Sequence, residues 1–401
     1  MPSGLNWDGW VSRCVRAKTA SSPPSTTCRS PASPDWPARP RSRGLASNWC
    51  ASSATRCAPA SCCTVCTPAS RPIRRSRARR PSATTATASA RQPACNICSW
   101  SSDVEGILLH FDDEARVAAK LAPAADLRAA VIERHRFPDG ELRLRLPAVL
   151  PPQVIVLRGL HEPNEKLVEL LLTARSARTL GARRLTLVAP YLGYMRQDAA
   201  FRPGEAVSQT IVGGFLAELF DALITVDPHL HRVLHLSDAV PVEQAVALSA
   251  AELLASVALA HRERPLLLGP DEEAAQWVEA GARAFGLDFA VCTKHRHGDH
   301  EVEIRLPEVD VSGRAVVILD DVASTGRTVA RAATLLRAAG AASVDLAVTH
   351  ALFAGDALAT VRAAGVEHVW STDAIAHETN VASVTALIAA ALSRLAEHSD
   401  D

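Results

Sequence analysis

From residue 104 onward, short runs of Val, Ile and Leu alternate with amphipathic segments. Short continuous apolar runs are typical of strands that are buried on both faces of a parallel sheet. The predicted strands are 153–157, 185–189, 222–227, 266–268, 288–293, 315–320, 344–349 and 369–371. The predicted helices are 164–180, 207–220, 242–261, 274–285, 328–339, 356–364 and 381–395. This alternation predicts an α/β fold built from βαβ units, with mostly parallel sheets.

The first hundred residues differ in character from the rest of the chain. They carry 15 basic and 2 acidic residues and nine of the ten Cys, whereas residues 101–401 carry 28 basic and 41 acidic residues. Residues 1–103 contain few large apolar side chains that could form a core, so we expect a disordered extension. The remaining length, about 300 residues, suits two α/β domains, which we place at 104–248 and 249–401.

Three interpretations of the extension stay open. Its Arg- and Ser-rich, acid-poor composition fits an organellar transit peptide. Two Cys pairs have a spacing that can bind zinc, and they are Cys63 with Cys66 and Cys95 with Cys98. The composition is also typical of out-of-frame reading of a GC-rich gene. We therefore hypothesise a native start near Val104, which an intact-mass measurement of the native protein would test.

Charge and hydropathy argue against several classes of protein. No apolar run reaches the ~18–20 residues that a helix needs to cross a bilayer, so we expect no membrane partner. The part after residue 103 is acidic and offers no broad basic surface, so we expect no nucleic-acid partner. Its single thiol is Cys292, which excludes an internal disulfide framework there. We therefore expect a reducing compartment and a cytoplasmic location.

The sharpest chemical signal is the stretch 315–328, where an apolar strand ends in Asp320 and Asp321 and a short loop enters a helix. Backbone N–H groups at a helix N-terminus attract phosphate, and Gly326 lets the backbone approach closely. Adjacent carboxylates can hold two sugar hydroxyls. The hydroxyl donors of the loop are Ser324, Thr325 and Thr328. An ordinary capped turn is the alternative, but it does not explain two acids ending a buried strand.

Further polar motifs follow other predicted strands. Arg136–Glu141 reads Arg-Phe-Pro-Asp-Gly-Glu, which on its own predicts a hairpin turn. Pro190–Asp198 reads Pro-Tyr-Leu-Gly-Tyr-Met-Arg-Gln-Asp. Asp227–His229 and Gly269–Asp271 each end a predicted strand. Ligands of open α/β sheets bind at the carboxyl ends of strands, so these motifs are candidates for one site.

Together these motifs resemble, in order and over about residues 105–392, those of the ribose-phosphate pyrophosphokinases, or phosphoribosyl-diphosphate (PRPP) synthetases. The stretch 315–328 resembles their PRPP loop, with Ser324 and Arg327 in place of the usual Asp and Gly. The resemblance implies two tandem type I phosphoribosyltransferase-like domains. It also implies an enzyme that transfers diphosphate from ATP to the 1-hydroxyl of ribose 5-phosphate, giving PRPP and AMP, with Mg²⁺ as cofactor.

The resemblance implies a role for each motif residue. Ribose 5-phosphate is expected at Asp320, Asp321, Ser324, Thr325, Gly326, Arg327 and Thr328. ATP is expected at Phe137, Asp139, Glu141, Arg196, Gln197, Asp198 and His229. The expected Mg²⁺ ligands are His229 and Asp271, and the expected catalytic residues are Lys294 and Arg296 of the loop 293–302. The segment 136–141 would reach the ATP of a neighbouring subunit, so the resemblance implies a homo-oligomer with a shared ATP site.

Departures from the family pattern keep alternatives open. The three His of the catalytic loop, His295, His297 and His300, could bind a metal, although no fourth ligand is evident. Ser324 and Arg327 motivate a first alternative, a phosphoribosyltransferase-like enzyme with another acceptor or a related phosphosugar diphosphokinase. A second alternative is a non-catalytic regulatory partner of a PRPP synthetase. The tandem architecture argues against the first alternative. The presence of Lys294 and Arg296 argues against the second.

Overall fold

The computed structural model describes residues 106–230, 232–297 and 301–397, and within 294–303 it describes the backbone alone. The described residues belong to one compact unit. The predicted disordered extension, its Cys pairs and Val104 lie outside the described residues. Within the described part of the chain, no helix has the length and apolar character needed to cross a membrane.

The described chain consists of two halves that repeat one order of elements. The strands of the first half are β1 (Gly106–His110), β2 (Arg128–Val131), β3 (Glu133–Arg136), β4 (Leu142–Arg145), β5 (Gln153–Leu157), β6 (Arg184–Ala189), β7 (Ala222–Val226) and β8 (Gln244–Leu248). The strands of the second half are β9 (Leu266–Gly269), β10 (Phe289–Val291), β11 (Thr293–His297), β12 (Glu301–Arg305), β13 (Ala315–Ala323), β14 (Ser343–Ala351), β15 (Val369–Thr372) and β16 (Asn380–Ala382).

Helices connect these strands and cover the sheets. The helices are α1 (Ala115–Ala124), α2 (Pro163–Thr179), α3 (Ser208–Leu219), α4 (Leu236–Ala239), α5 (Ala251–His261), α6 (Ala275–Phe285), α7 (Arg327–Ala338), α8 (Ala357–Ala363) and α9 (Thr385–Glu397). Because helices lie on both faces, strands such as β7 and β14 are buried along their whole length. This burial explains why they are continuous apolar runs in the sequence.

Each half contains a six-stranded sheet in which all neighbouring strands are parallel. The first sheet has the order β2-β1-β5-β6-β7-β8, and the second has the order β10-β9-β13-β14-β15-β16. The pairs β3–β4 and β11–β12 form separate antiparallel hairpins at the same place in each half. The α/β fold with mostly parallel sheets, predicted from the apolar runs, is thus confirmed.

The last helix of each half packs on the sheet of the other half. Helix α5, which follows β8, buries Leu254 and Ala258 against Leu267 and Trp277 of the second half. Helix α9 buries Ile388 against the cluster around β1 and α1 of the first half. Ion pairs fix both crossings, since Arg262 bonds Asp345 and Lys120 bonds Asp373. The predicted boundary at residue 248 stays a prediction.

Two predicted helices were wrong in the same way. Residues 242–261 and 381–395 were each predicted as one helix, but each contains an edge strand, β8 or β16, followed by a helix. Both strands pair with a parallel neighbour, β7 or β15, and this pairing provides hydrogen bonds for their backbone groups. The composition of these segments favours neither helix nor strand, so the pairing decides. Residues 293–297 and 301–302 of the predicted catalytic loop lie on the strands β11 and β12, which pair in an antiparallel register. The strand predicted at 315–320 extends to Ala323.

Candidate active site

The two halves meet where β7 and β13 end. His229, two residues beyond Asp227, belongs to the first half, and its Nδ1 lies 2.7 Å from Oδ2 of Asp321 in the second half. Nδ1–H of the imidazole donates to the carboxylate. A residue predicted to bind ATP and a residue predicted to bind the sugar are therefore in direct contact. The site lies at the carboxyl ends of the strands, as expected for an open α/β sheet.

The predicted phosphate loop enters α7 through a left-handed residue. Gly326 precedes the helix with φ of 71°, and a Cβ built there would lie 2.8 Å from Cγ2 of Val361. Only glycine fits both the conformation and the space. In the described structure no side chain caps α7, so the N–H groups of its first turn can face an anion. Ser324 and Thr328 are half-buried, and Thr325 and Arg327 are exposed.

Three carboxylates converge beside this loop. Burial raises the pKa of Asp320 well above its ordinary value, and the charges of Asp321 and Asp271 raise it further. Burial would also raise the pKa of Asp321, but the hydrogen bond and charge of His229 outweigh it and hold that pKa below its ordinary value. Asp271 is itself buried, directly after β9. Such a concentration of negative charge suits a divalent cation or several sugar hydroxyls.

The segment 190–198 forms the wall of the site on the side of the first half. It packs closely against the loop after β5, because a Cβ at Gly193 would lie 2.6 Å from the carbonyl oxygen of Leu160. Burial raises the pKa of Tyr191, which the charges of Arg196 and Asp321 also influence. Arg196 is exposed and free to turn toward a phosphate. Tyr191 is therefore close enough to both the Arg predicted to bind ATP and the carboxylate predicted to bind the sugar for their charges to affect its pKa.

Gln197 and Asp198, predicted to bind ATP, bond within their own half. The amide of Gln197 donates to the carbonyl oxygen of Ala199 at 2.9 Å. The side chain of Asp198 is 1% exposed and pairs with Arg232. Its Oδ2 has no hydrogen-bond partner among the described residues. These contacts fix the shape of the segment, and the roles of both residues in ATP binding stay predictions.

The remaining predicted ATP residues lie at the tip of the hairpin β3–β4. Phe137, Asp139 and Glu141 are exposed, and the exposed fraction of Phe137 is 38%. The hydrogen bonds of the tip are internal, from Phe137 N–H to the carbonyl of Glu141 and from Glu141 N–H to Asp139. The hairpin prediction from the Pro-Asp-Gly turn is thus confirmed.

The predicted catalytic residues are described by their backbone alone. Lys294 and Arg296 lie on β11, opposite Ile304 and Val302 of β12. The metal site considered for His295, His297 and His300 falls outside the described side chains. The strand β11 follows β10 and Cys292, which is buried beside Asp271 and whose pKa burial raises to about 12. The backbone therefore leads from the carboxylate cluster directly into the hairpin that carries the two cations.

Comparison with known proteins gives consistent results over both halves. A family model described as the N-terminal domain of ribose phosphate pyrophosphokinase matches residues 107–219, and a phosphoribosyl transferase domain model matches residues 235–373. The ribose-phosphate pyrophosphokinase of Methanopyrus kandleri is 37% identical over 293 residues, which cover 72% of this chain and 99% of that protein. The chain belongs to the ribose-phosphate pyrophosphokinase family. The family predicted from the motifs is confirmed.

Other relatives agree with this assignment. The ribose-phosphate pyrophosphokinase of Halobacterium salinarum is 34% identical over 287 residues, 71% of this chain and 100% of that protein. The crystal structure of phosphoribosylpyrophosphate synthetase from Mycobacterium smegmatis superposes with a TM-score of 0.64 at 23% identity and covers 73% of this chain and 99% of that chain. The chain therefore has the fold of that structure.

Three residues near the site, Tyr191, Asp227 and His350, were not among the predicted site residues. Nε2–H of buried His350 donates to the carbonyl oxygen of Val226 at 2.9 Å, and its ring lies edge-on to Tyr191 at 4.9 Å. Burial lowers the pKa of His350. Asp227 accepts hydrogen bonds from both halves. A polar residue at the end of an apolar strand was the available signal for all three, but it does not reveal which strands converge.

Proposed function

We propose that the protein transfers the β,γ-diphosphoryl group of ATP to the 1-hydroxyl of ribose 5-phosphate. The observation that carries this proposal is the contact between His229 of the first half and Asp321 of the second. It supports a site in which a nucleotide bound by one half faces a phosphosugar bound by the other. Family membership supports the same reaction.

The loop at 324–328 suits the 5-phosphate of the sugar. The uncapped N–H groups at the start of α7 and the hydroxyls of half-buried Ser324 and Thr328 are hydrogen-bond donors of the kind that bind an anion. Asp320 and Asp321 would accept hydrogen bonds from the ribose hydroxyls. Arg327 is exposed on the first turn of α7 and adds a positive charge near the phosphate.

The reaction needs alignment of the two substrates and neutralisation of phosphate charge. The 1-hydroxyl oxygen attacks the β-phosphorus, so an O–P bond forms while the bond from the β-phosphorus to the oxygen bridging to the α-phosphate breaks. AMP leaves, and the proton of the hydroxyl is released to solvent. Arg196 and Lys294 would stabilise charge on the phosphates, since positioning and electrostatics provide most of the catalysis in such transfers.

Mg²⁺ fits the residues that the structure brings together. Asp271, Asp320 and Asp321 supply oxygen ligands of the kind that Mg²⁺ prefers, and their mutual repulsion, seen in the raised pKa of Asp320, is relieved by a cation. His229 and Asp271 would hold the ion, and the bound ion would supply positive charge that offsets the phosphate charge of ATP. The protein groups then need only to orient the sugar against the nucleotide.

The proposal also includes a homo-oligomer in which the hairpin β3–β4 completes the ATP site of a neighbouring subunit. Its support is the exposure of Phe137, Asp139 and Glu141 at the hairpin tip. Coexpression of Phe137→Ala with Asp321→Asn tests this point. If the site is shared, mixed oligomers contain sites with no altered residue and recover activity that neither variant has alone. No recovery in oligomers shown to be mixed would contradict sharing.

The central test uses the full-length protein with Mg–ATP and ribose 5-phosphate, followed by phosphorus NMR. We expect AMP and PRPP to appear in equal amounts. Lys294→Ala should lower turnover by about a hundredfold, a typical cost of losing one contact to transition-state charge. A folded protein that binds ATP but forms neither product would contradict the proposal.

A further inference from the structure

The buried carboxylate of Asp227 joins the two halves close to the site. Trp277 Nε1–H of α6 donates to its Oδ1 at 2.8 Å, and Thr349 Oγ–H of β14 donates to its Oδ2 at 2.7 Å. The backbone N–H of Ala250 also donates to Oδ2, at 3.0 Å. Asp227 is 4% exposed. One side chain at the end of β7 is therefore bound by groups from a helix and a strand of the second half.

Two features of Asp227 reduce stability. Its φ is 37°, a left-handed conformation that costs a residue other than glycine about 1–3 kcal/mol. Its carboxylate is buried, and among the described residues no Arg or Lys forms an ion pair with it. Burial of a charge that neutral donors alone bond is costly. A position under selection for stability alone would carry neither feature, and such local conflicts cluster at functional sites.

The hydrogen bonds of Asp227 fix the chain that carries His229. His350, next to Thr349, donates to the carbonyl oxygen of Val226 at 2.9 Å, so the backbone just before Asp227 is also bound to β14. Two residues after Asp227, His229 donates to Asp321. The direction in which the imidazole of His229 points thus depends on how the end of β7 is held against the second half.

We propose that Asp227 is a positioning residue: its carboxylate, held by Trp277 and Thr349, sets the end of β7 so that His229 faces Asp321. This inference deepens the proposed function and rests on it. The distance between the nucleotide on the first half and the sugar on the second follows from this set of hydrogen bonds. A displacement of about 1 Å between reacting groups can cost about a hundredfold in rate, so a small change at Asp227 is magnified in turnover.

Two variants of the full-length protein remove the hydrogen bonds with little change of shape. Asp227→Asn replaces one acceptor oxygen by an NH₂ group that must face a donor. Trp277→Phe removes the bond to Oδ1 and keeps an aromatic ring. The matched control is Asp345→Asn, a fully buried carboxylate near the opposite end of β14 that bonds Arg262. This control loses stability without a link to His229.

We expect substitutions at this hydrogen bond to lower kcat and to leave KM nearly unchanged. We expect Asp227→Asn to lower kcat by about tenfold or more and Trp277→Phe to lower it by about threefold, with each KM changed by less than about threefold. The double variant should be slower than Asp227→Asn by less than the threefold effect of Trp277→Phe, because both changes disturb the hydrogen bond between Trp277 and Asp227. Asp345→Asn should lower the melting temperature and leave kcat per folded molecule unchanged.

Other outcomes would overturn the inference. An unchanged kcat in folded Asp227→Asn, an equal fall in Asp345→Asn, or additive effects in the double variant would each do so. If Asp227→Asn does not fold, Trp277→Phe decides by itself, since its kcat must fall while each KM is kept.

A second readout does not need turnover. Ribose 5-phosphate is titrated by calorimetry with and without α,β-methylene-ATP, and we expect coupling between the two ligands in the wild type that Asp227→Asn loses. A wild type without coupling would overturn the inference. A wild type that binds and couples both ligands but forms no PRPP would instead refute the proposed function.

Discussion

The two halves of the molecule have the same wiring but use one equivalent loop in opposite ways. The loop from β5 to α2 and the loop from β13 to α7 both enter their helix through a left-handed residue, Glu162 with φ of 50° and Gly326 with φ of 71°. In the second half the loop leaves backbone N–H groups and carboxylates available to a ligand. In the first half the corresponding polar groups bond one another.

The first-half loop is filled by an ion-pair network around Arg158, which is 1% exposed. The guanidinium of Arg158 donates to Asp113 and to buried Glu169, and Glu169 also accepts from Arg134 on the hairpin β3–β4. The cleft beside it, about 380 Å³, is lined by four cationic and four anionic side chains. Its charges therefore cancel internally. One scaffold thus gives a ligand site or a structural anchor according to whether its loop charges are paired within the protein.

The largest expected effect is on the free energy of unfolding, and it tests whether the first-half loop is structural. Arg158→Met leaves Glu169 buried with one partner fewer, and the loss of one partner of a buried pair costs about 3–5 kcal/mol of unfolding free energy. Urea unfolding measures this, and turnover per folded molecule should stay within about threefold of the wild type. The double variant with Glu169→Leu should recover part of the stability. A loss of turnover without loss of stability would contradict the assignment of Arg158 as structural.

Asp321→Asn tests the loop of the second half, where we expect a loss of activity with little loss of stability. Asn keeps the shape but removes the charge that His229 bonds, so we expect kcat/KM to fall by about a hundredfold. Stability should change little, because the variant also relieves repulsion with Asp320. Steady-state kinetics and a melting curve measure both quantities. A variant with full activity would remove Asp321 from the site.

The two left-handed positions provide a matched pair of substitutions. Gly326→Ala places a Cβ against Val361 and forces the loop to shift, so KM for ribose 5-phosphate should rise by about tenfold. Glu162→Gly relieves a left-handed conformation at the equivalent position, and we expect stability to rise by up to about 1 kcal/mol with unchanged kinetics. A kinetic effect of Glu162→Gly would show that the first-half loop also serves the reaction.

The last expected effect concerns the pH dependence of stability in the first half. Burial, together with the charges of Lys166 and Arg158, lowers the pKa of His161 from its ordinary value of 6.5 to about 4. Between pH 6.5 and about 4 the unfolded state therefore binds a proton that the folded state does not, so stability falls as pH falls through this range. After allowance for solvent screening, this loss is about 1–2 kcal/mol. His161→Gln should reduce the difference in unfolding free energy between pH 7 and pH 5; an unchanged difference would assign it to other groups.

Much of the candidate site follows from the sequence because its motifs are local. The stretch 315–328 combines a strand end, two carboxylates and a glycine within a single βα unit, and each element of that unit can be predicted from neighbouring residues. The segment 190–198 and the turn at 137–141 are local in the same sense. For these stretches the order of residues alone indicates the chemistry.

The tertiary structure decided what depends on contacts between distant residues. The sequence itself determined the α/β class, the repeated βαβ units and the phosphate loop, since apolar periodicity and turn chemistry are set by near neighbours. The edge strands β8 and β16 and the crossing of α5 and α9 could not be predicted, because pairing with a distant strand outweighs a weak local preference. The contact between His229 and Asp321 and the bonding of Asp227 join residues about a hundred positions apart. Only the folded chain brings such groups within hydrogen-bonding distance, because loop closure and packing rather than local preference fix their separation.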